Sequence, residues 1–287
     1  MRSKIILATA ISALFSAGAV IAQDRFANVE ITSQHVSGSV HMLEGAGGNI
    51  GVSAGTEGIL IVDDQFAPLA EKIATAIGDI SKTSMKYVVN THYHGDHTGS
   101  NAYFKEIQGS TIFAHDNVRK RLVEKDKHTH AELPVVTYQQ GVTFHFNGDT
   151  IKVMHLPAGH TDSDSVVWFE EANVLHAGDL FFSGNFPYID LDGGGTVAGY
   201  ISNVTKLLKM LKDDTKVIPG HGPLSTKKDY QQSLDMMIET AAMVKSMKAK
   251  GVNLEDAVKQ GLGEQNKVWA WNFITEEKWI TTLYKSL

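Results

Sequence analysis

The sequence contains no cysteine among its 287 residues. A chain without cysteine has no disulfide framework, no thiol nucleophile and no thiolate metal site. Any metal must therefore be held by imidazole and carboxylate groups, which are ligand types that suit zinc, iron or manganese.

Basic residues are in the minority, with 26 lysines and arginines against 32 aspartates and glutamates. The formal net charge of −6 argues against a nucleic-acid-binding surface and against attraction to anionic membranes. We therefore predict a small-molecule substrate and no nucleic-acid partner. The oligomeric state does not follow from the sequence.

Long apolar runs are also scarce. The longest covers residues 5–21, and Arg2 and Lys4 precede it. It is shorter than the ~20 apolar residues of a membrane-spanning helix, and it ends in small residues up to Ala22, which is typical of a signal peptidase site. We predict that residues 1–22 are a signal peptide cleaved after Ala22. The mature chain would then be periplasmic or secreted, with no stable membrane anchor.

Residues 23–287 contain no segment typical of a linker, so we predict a single domain. Alternating or continuous short apolar runs predict strands at 28–32, 39–43, 49–53, 59–62, 87–89, 111–115, 142–146, 151–156, 166–169, 174–177 and 217–218. Helical spacing predicts helices at 69–80, 116–127, 198–212, 226–250 and 276–286, so that C-terminal helices follow from about residue 225. Both halves run from strands to helices. This order predicts an α/β fold, a four-layer αββα sandwich with two sheets face to face and helices outside.

A short segment after the predicted strand at 87–89 packs three imidazoles and one carboxylate into six consecutive positions. These residues are His92, His94, Asp96 and His97. Imidazole binds zinc well, and an aspartate lowers the net charge of the site. A structural zinc needs only four ligands, so further ligands elsewhere in the chain would indicate a catalytic centre.

Three more candidate ligands follow predicted strands, and each comes directly after a glycine. They are His160, Asp179 and His221. A glycine followed by histidine or aspartate is by itself common turn chemistry. Three occurrences at equivalent positions favour a shared role as metal ligands.

The combined pattern resembles the metallo-β-lactamase superfamily, in which an H-x-H-x-D-H string is followed by a distant histidine, an aspartate and a final histidine. The resemblance implies His92, His94 and His160 at a first metal, Asp96, His97 and His221 at a second, and Asp179 as a bridge. Two Zn²⁺ ions are the expected cofactors, with iron or manganese as alternatives.

Other residues are candidates for supporting or substrate-binding roles. By the same resemblance, Asp63 matches the family's first acidic position and would orient a ligand histidine. His176 lies three residues before Asp179 and is a candidate for a similar role. Two loops near the expected centre supply the candidate substrate contacts, which are Asn49, Phe182, Asn185 and Tyr188.

The expected chemistry follows from the two metals. A water held between two divalent ions loses a proton near neutral pH and attacks a carbonyl that one ion polarises. Asp96 would hold the second metal and orient or exchange that proton, so it is the predicted catalytic residue. The absence of cysteine agrees with this, because no protein nucleophile is needed. We predict an exported dinuclear zinc hydrolase acting on a cyclic amide or ester, such as a β-lactam or lactone.

Membership of a fold family does not select a reaction. Phe182 stands where the best-known zinc β-lactamase subclass has a lysine, and Asp179 stands where it has a cysteine. The ligand set is therefore closer to the glyoxalase II and lactonase branches. A glyoxalase II-type thioesterase, a mononuclear iron oxygenase of the persulfide dioxygenase type, and a binding or relay protein that retains metals without turnover stay open as alternatives.

Overall fold

The computed structural model describes residues 25–124 and 129–287. The predicted signal peptide lies outside these described residues. Two β-sheets, one of seven strands and one of six, pack face to face, and helices cover their outer faces. The predicted αββα sandwich is confirmed.

The first sheet takes its strands in chain order. They are β1 (Thr32–Ser37), β2 (Val40–Glu44), β3 (Ile50–Gly55), β4 (Gly58–Val62), β5 (Met85–Asn90), β6 (Thr111–His115) and β7 (Val136–Tyr138). Neighbours are antiparallel from β1 to β4 and parallel from β4 to β7. The ends of β4 and β5 therefore lie at the same edge of this sheet.

The second sheet has the order β13-β12-β11-β10-β9-β8. Its strands are β8 (Gly141–Phe146), β9 (Asp149–His155), β10 (Ser165–Phe169), β11 (Val174–His176), β12 (Lys216–Ile218) and β13 (Ser225–Thr226). All neighbours are antiparallel except β11 and β12, which run parallel. Two consecutive loops therefore leave this sheet side by side, after β11 and after β12.

The described helices are α1 (Ala70–Ile80), α2 (Gly95–Thr98), α3 (Asn101–Glu106), α4 (Asp116–Glu124), α5 (Val197–Met210), α6 (Lys227–Ala249), α7 (Leu254–Gln260) and α8 (Glu276–Ser286). Helix α6 begins at a capping box, in which Thr226 and Asp229 each bond the other's backbone N–H. Side-chain caps from Thr196 and Thr275 likewise begin α5 and α8. Among the described residues, no helix combines the length and apolar character needed to cross a membrane.

Strand β4 shows how the layers arise, because its apolar side chains alternate between two cores. Leu60 and Val62 face the space between the sheets, whereas Ile59 and Ile61 pack with Ile73 of α1 on the outer face. A fully buried side chain of this size contributes about 1.5–3 kcal/mol. In a chain without disulfides, these cores carry the stability of the fold.

The prediction of a first strand at residues 28–32 is wrong, because β1 begins only at Thr32. Most of β1 is polar and exposed, so it lacks the apolar alternation from which strands are predicted. The preceding residues form an N-terminal segment whose carbonyls are bound by one side chain. Lys72 Nζ of α1 donates to the carbonyl oxygens of Phe26 at 3.1 Å, Ala27 at 2.7 Å and Val29 at 2.8 Å.

Candidate metal centre

All seven predicted ligands converge at one edge of the sandwich, where strands of both sheets end. Strand β5 leads directly to the segment that carries His92, His94, Asp96 and His97, and the loop between β9 and β10 carries His160. Asp179 follows β11, and His221 follows β12. Because β11 and β12 are parallel neighbours, these last two residues reach the same side of the centre.

The loops after β11 and β12 approach closely enough for their backbones to hydrogen-bond. Gly220 N donates to Gly178 O at 2.8 Å and to Phe181 O at 3.0 Å. A Cβ at Gly220 would collide with Oδ1 of Asp179 and lie 2.7 Å from the Gly178 carbonyl oxygen. The absence of a side chain at position 220 therefore leaves the space in which the Asp179 carboxylate lies.

The first group of converging atoms consists of three imidazole nitrogens and one carboxylate. His94 Nδ1 lies 3.0 Å from His92 Nε2 and 2.9 Å from His160 Nε2. Asp179 Oδ2 lies 3.7 Å from His92 Nε2 and 3.3 Å from His160 Nε2. These four residues offer ligand atoms that all lie within 4.8 Å of one another.

The second group consists of Asp96, His97 and His221. Asp96 Oδ2 lies 3.8 Å from His97 Nε2 and 3.4 Å from His221 Nε2. The other oxygen of Asp179, Oδ1, lies 3.1 Å from His97 Nε2 and 3.4 Å from His221 Nε2. Asp179 therefore directs one carboxylate oxygen towards each group.

The charge state differs between the two groups. Burial lowers the pKa of His92 well below its usual value and lowers the pKa of His160 to about 4. At neutral pH both imidazoles are uncharged, so each has a lone pair available to a metal.

In the second group the carboxylates outweigh burial. Burial opposes the charged imidazole, but Asp179, Asp63 and Asp96 raise the pKa of His97, and Asp179 and Asp96 raise the pKa of His221 to about 9. Burial likewise opposes the charged carboxylates, yet the facing imidazoles hold the pKa of Asp179 well below normal and that of Asp96 at about 2. Positive charge between these side chains is therefore electrostatically favourable.

The residues fit divalent cations. Two buried polar atoms, His97 Nε2 and Asp179 Oδ1, face each other without an aligned hydrogen bond to any described residue. Buried polar atoms without partners are costly, so such atoms call for a ligand. Imidazole nitrogens and carboxylate oxygens in two adjacent groups are the donor set of a two-metal centre.

Asp63, the residue expected to orient a ligand histidine, contacts the His97 ring. His97 Nδ1 donates to Asp63 Oδ2 at 2.7 Å, and Thr91 donates to the same carboxylate from its backbone N at 2.7 Å and from its hydroxyl at 2.8 Å. The Asp63 side chain is fully buried. Since Nδ1 of His97 donates to Asp63, Nε2 of the same ring is the nitrogen that lies with the ligand atoms of Asp96 and His221.

Asp190 performs the equivalent role for His94, and sequence reasoning missed it. Its Oδ2 accepts from His94 Nε2 at 3.0 Å and from Tyr93 Oη at 2.5 Å, and its Oδ1 accepts from Gly193 N at 2.9 Å. Asp190 lies within an irregular loop and follows neither a strand nor a glycine, so no local pattern marks it.

His160 is positioned from two sides. Its Nδ1 donates to the Tyr188 carbonyl oxygen at 2.8 Å, and its backbone N donates to Asp164 Oδ2 at 2.7 Å. Asp164 also accepts from the backbone N and the hydroxyl of Thr161. Sequence reasoning missed Asp164 as well, although a carboxylate four residues after a ligand in the same loop is a usable signal.

His176 and Asn49 support the loops of the centre without touching a ligand side chain. His176 Nε2 donates to Asn49 O at 3.1 Å, and Nδ1 accepts from Gly178 N at 3.2 Å. Asn49 Nδ2 donates to the carbonyl oxygens of Pro219 at 2.9 Å and Gly222 at 2.8 Å. The Asn49 side chain is therefore buried behind the loop that carries His221, where its amide donates to both carbonyl oxygens. It does not line the cleft described next.

A cleft of about 630 Å³ opens over the centre. The predicted substrate contacts Phe182 and Tyr188 line it, and the Phe182 ring stacks on His221 at 5.0 Å between centroids. Asn185 does not line it, and its side chain donates back to Ser183 O at 3.3 Å. Four lining residues lie far from the predicted loops in sequence, which is why the sequence did not reveal them; they are Arg25, Phe66, Trp271 and Phe273.

Comparison with known proteins agrees with this geometry. Residues 79–221 match the family model described as the metallo-beta-lactamase superfamily. The chain is 31% identical over 160 residues to an uncharacterized protein of Aquifex aeolicus, across 53% of this chain and 74% of that protein. It is 28% identical over 137 residues to a hydroxyacylglutathione hydrolase of Pelagibacter ubique, across 48% of this chain and only 52% of that enzyme.

The fold is also similar to a solved structure of a metallo-beta-lactamase from Pontibacter korlensis. The TM-score is 0.62 at 20% sequence identity, and the match covers 72% of this chain and 99% of that one. The chain therefore belongs to the metallo-β-lactamase superfamily, and its His/Asp cluster is the metal-binding site that this fold carries.

Proposed function

We propose that this protein is a dinuclear zinc hydrolase that cleaves a cyclic amide or ester, such as a β-lactam or lactone. The position of Asp179 carries the proposal, because its two carboxylate oxygens face two separate groups of ligand atoms. Two divalent ions held there would supply an acidified water and polarisation of the substrate carbonyl.

The protein's own side chains would hold the two ions and orient the ligand rings. His92, His94 and His160 would offer ring nitrogens to the first ion, and Asp190 fixes the orientation of the His94 ring. Asp96 is the more exposed of the two ligand carboxylates, at 25% against 4% for Asp179. We assign it to the second ion and to orienting the reacting water, because its low pKa keeps it ionised and Oδ2 can then accept a hydrogen bond from that water.

The proposal extends to the location of the protein. The basic residues Arg2 and Lys4, the apolar run after them and the small residues up to Ala22 support export with cleavage after Ala22. Mass spectrometry of the protein recovered from the periplasm or medium should give a chain beginning at Gln23. An intact chain confined to the cytoplasm would contradict export.

A thioesterase is the second candidate, because the relative from Pelagibacter ubique is named a hydroxyacylglutathione hydrolase. The cleft favours it less, since Arg25 is the only lysine or arginine among its described lining residues. A mononuclear iron oxygenase would need only the first group, and the second group with its buried, unpartnered His97 Nε2 counts against it.

Metal analysis combined with a substrate panel tests the proposal. Protein purified from medium containing zinc and iron should hold about two zinc ions per chain and should hydrolyse nitrocefin or a lactone faster than a thioester or phosphodiester. A content of one iron and no zinc would identify the oxygenase, and full zinc without cleavage of any panel member would identify a binding protein. Where a carboxylate of the centre is replaced, Asp192→Asn is the control for the loss of one negative charge, because Asp192 is exposed and absent from both ligand groups.

A further inference from the structure

One side of the cleft is an aromatic wall formed by Tyr188, Trp271 and Phe273. The Phe273 ring lies 5.4 Å from Tyr188 and 5.5 Å from Trp271 between centroids. Trp271 and Phe273 come from a C-terminal segment beyond residues 79–221, the part that matches the family model. Two of the three rings of the wall therefore lie outside the matched family region, and Tyr188 lies within it.

Hydrogen bonds hold Trp271, one ring of the aromatic wall, in place. Trp271 Nε1 donates to the Phe186 carbonyl oxygen at 3.0 Å, and Phe186 N donates to Trp269 O at 2.7 Å. Phe186 itself is fully buried. The Trp271 ring is thus pre-positioned, so a flat apolar group can pack on it without first ordering that side chain.

Arg25 and Phe66 line the cleft apart from this wall, and Arg25 belongs to the N-terminal segment bound by Lys72. The Arg25 guanidinium carbon lies 5.1 Å from the Phe26 ring centroid and 5.7 Å from that of Phe66. Arg25 is exposed and has no carboxylate partner in the part of the chain that the structure describes. Its hydrogen-bond donors are therefore available to a ligand.

A single glycine separates Phe66 from the metal centre. A Cβ at Gly47 would lie 3.0 Å from Asp96 Cβ and 3.2 Å from Phe66 Cε2. Gly47 has φ +105, a backbone conformation that side chains rarely adopt. The Phe66 ring and Gly47 therefore lie between Arg25 and Asp96, a proposed ligand of the second metal.

Charge in the cleft favours an anion at Arg25. The lining carboxylates are Asp96, Asp179 and Asp190. Asp96 and Asp179 face the two groups of metal ligands, and Asp190 accepts from His94 and Tyr93. Arg25 contributes a positive charge that none of these carboxylates contacts.

Resting on the proposed hydrolase function, we propose that the substrate is an amphiphilic carboxylate. Its flat apolar group packs on Trp271 and Phe273, its carboxylate binds the Arg25 guanidinium in a bidentate manner, and the scissile carbonyl lies between them over the metal centre. This assigns Arg25 and Trp271 as specificity-determining residues.

Matched substrates separate the two contacts. O-Phenylacetyl-lactate carries a ring on one side of its ester and a carboxylate on the other. Its carboxamide counterpart lacks the charge, and O-acetyl-lactate lacks the ring. The zinc-loaded enzyme should hydrolyse the charged ester with kcat/KM about 10- to 100-fold above the carboxamide, the range of one charge-assisted hydrogen-bonded contact.

Two variants assign the effect to residues. Arg25→Gln should lower kcat/KM for the charged ester about 10-fold or more and change that for the carboxamide less than about 3-fold. Trp271→Ala should remove most of the preference for phenylacetyl over acetyl. Lys82→Gln, which makes the same charge change at an exposed position on a different surface, should alter neither ratio.

Calorimetric titration of N-phenylacetyl-alanine, the amide counterpart, gives the same comparison without turnover. Wild type should bind it about 10-fold or more tighter than its carboxamide, and Arg25→Gln should abolish the difference. Equal affinities in wild type, or an equal loss for both ligands in Arg25→Gln, would overturn the inference. Failure to hydrolyse any ester, lactam or thioester, with the binding preference intact, would overturn the proposed hydrolase function and leave Arg25 and Trp271 as residues that bind an amphiphilic carboxylate.

Discussion

Replacement of Asp190 by asparagine isolates the contact that orients His94. The substitution keeps the shape of the side chain and removes its charge. An asparagine Oδ1 can still accept from His94 Nε2 and Tyr93 Oη, but its NH₂ then faces the Gly193 N–H, which now donates to Asp190 Oδ1. One donor must therefore lose its acceptor, or the amide must flip and release His94.

The expected magnitude follows from these bonds. A hydrogen bond to a charged group contributes about 1.5–3 kcal/mol and a neutral one about 0.5–1.5, so loss of the charge costs about 1–1.5 kcal/mol. The Asp190 side chain is only 14% exposed, so solvent screening reduces this little. The donor left facing Gly193 adds about 1 kcal/mol or more. The affinity of the first metal should therefore fall about 10- to 100-fold, which is the range for partners of metal-binding histidines.

Competition against a chromophoric chelator measures both zinc affinities in one titration. Asp190→Asn should weaken the first site and leave the second within about 3-fold, because the Asp63 contact to His97 is untouched. Asp192→Asn should change neither affinity. Equal weakening of both sites would show a general loss of structure, and unchanged affinity at both sites would refute the orienting role.

The other predictions concern the bridging carboxylate, the loop that carries His221, and metal removal. Asp179→Ala should lose both metals and all hydrolysis, because each group loses the oxygen that faces it; two retained metals with full activity would refute the bridge. Asn49→Ala should lower the free energy of unfolding by about 1–3 kcal/mol, since two loop carbonyls lose their donor; an unchanged urea midpoint would contradict this. A chelator should lower the unfolding midpoint, because a ligand at a thousandfold excess over its Kd stabilises a fold by about 4 kcal/mol; equal midpoints with and without zinc would exclude a bound metal.

The centre was predictable from sequence where its residues follow strands. His92 comes two residues after β5, and Asp179 and His221 come after neighbouring parallel strands of the other sheet, so each lies beyond the end of a strand that its apolar residues predict. The inner strands were predictable for the same reason, because buried strands carry continuous or alternating apolar residues.

The parts that sequence did not reveal depend on packing between distant segments. Asp190 reaches His94 across 96 positions from an irregular loop, and Trp271 reaches Phe186 across 85. No periodicity records such contacts, because they are set by how loops pack onto a finished scaffold. The prediction of a strand at 28–32 was wrong for a similar reason, because Lys72 of α1, which is distant in sequence, donates to the carbonyl oxygens of Phe26 and Val29.

The close approach of Gly220 to Asp179 has a consequence for mutational scanning and directed evolution. A library that preserves all seven proposed ligands but varies position 220 would retain every donor atom and should still lose metal, because any added Cβ would displace the carboxylate of Asp179, the proposed bridge. Loss of activity at this position would then resemble loss of a ligand. Gly220 leaves a space that no side chain of its own fills, and the Asp179 carboxylate needs that space in order to lie where it does.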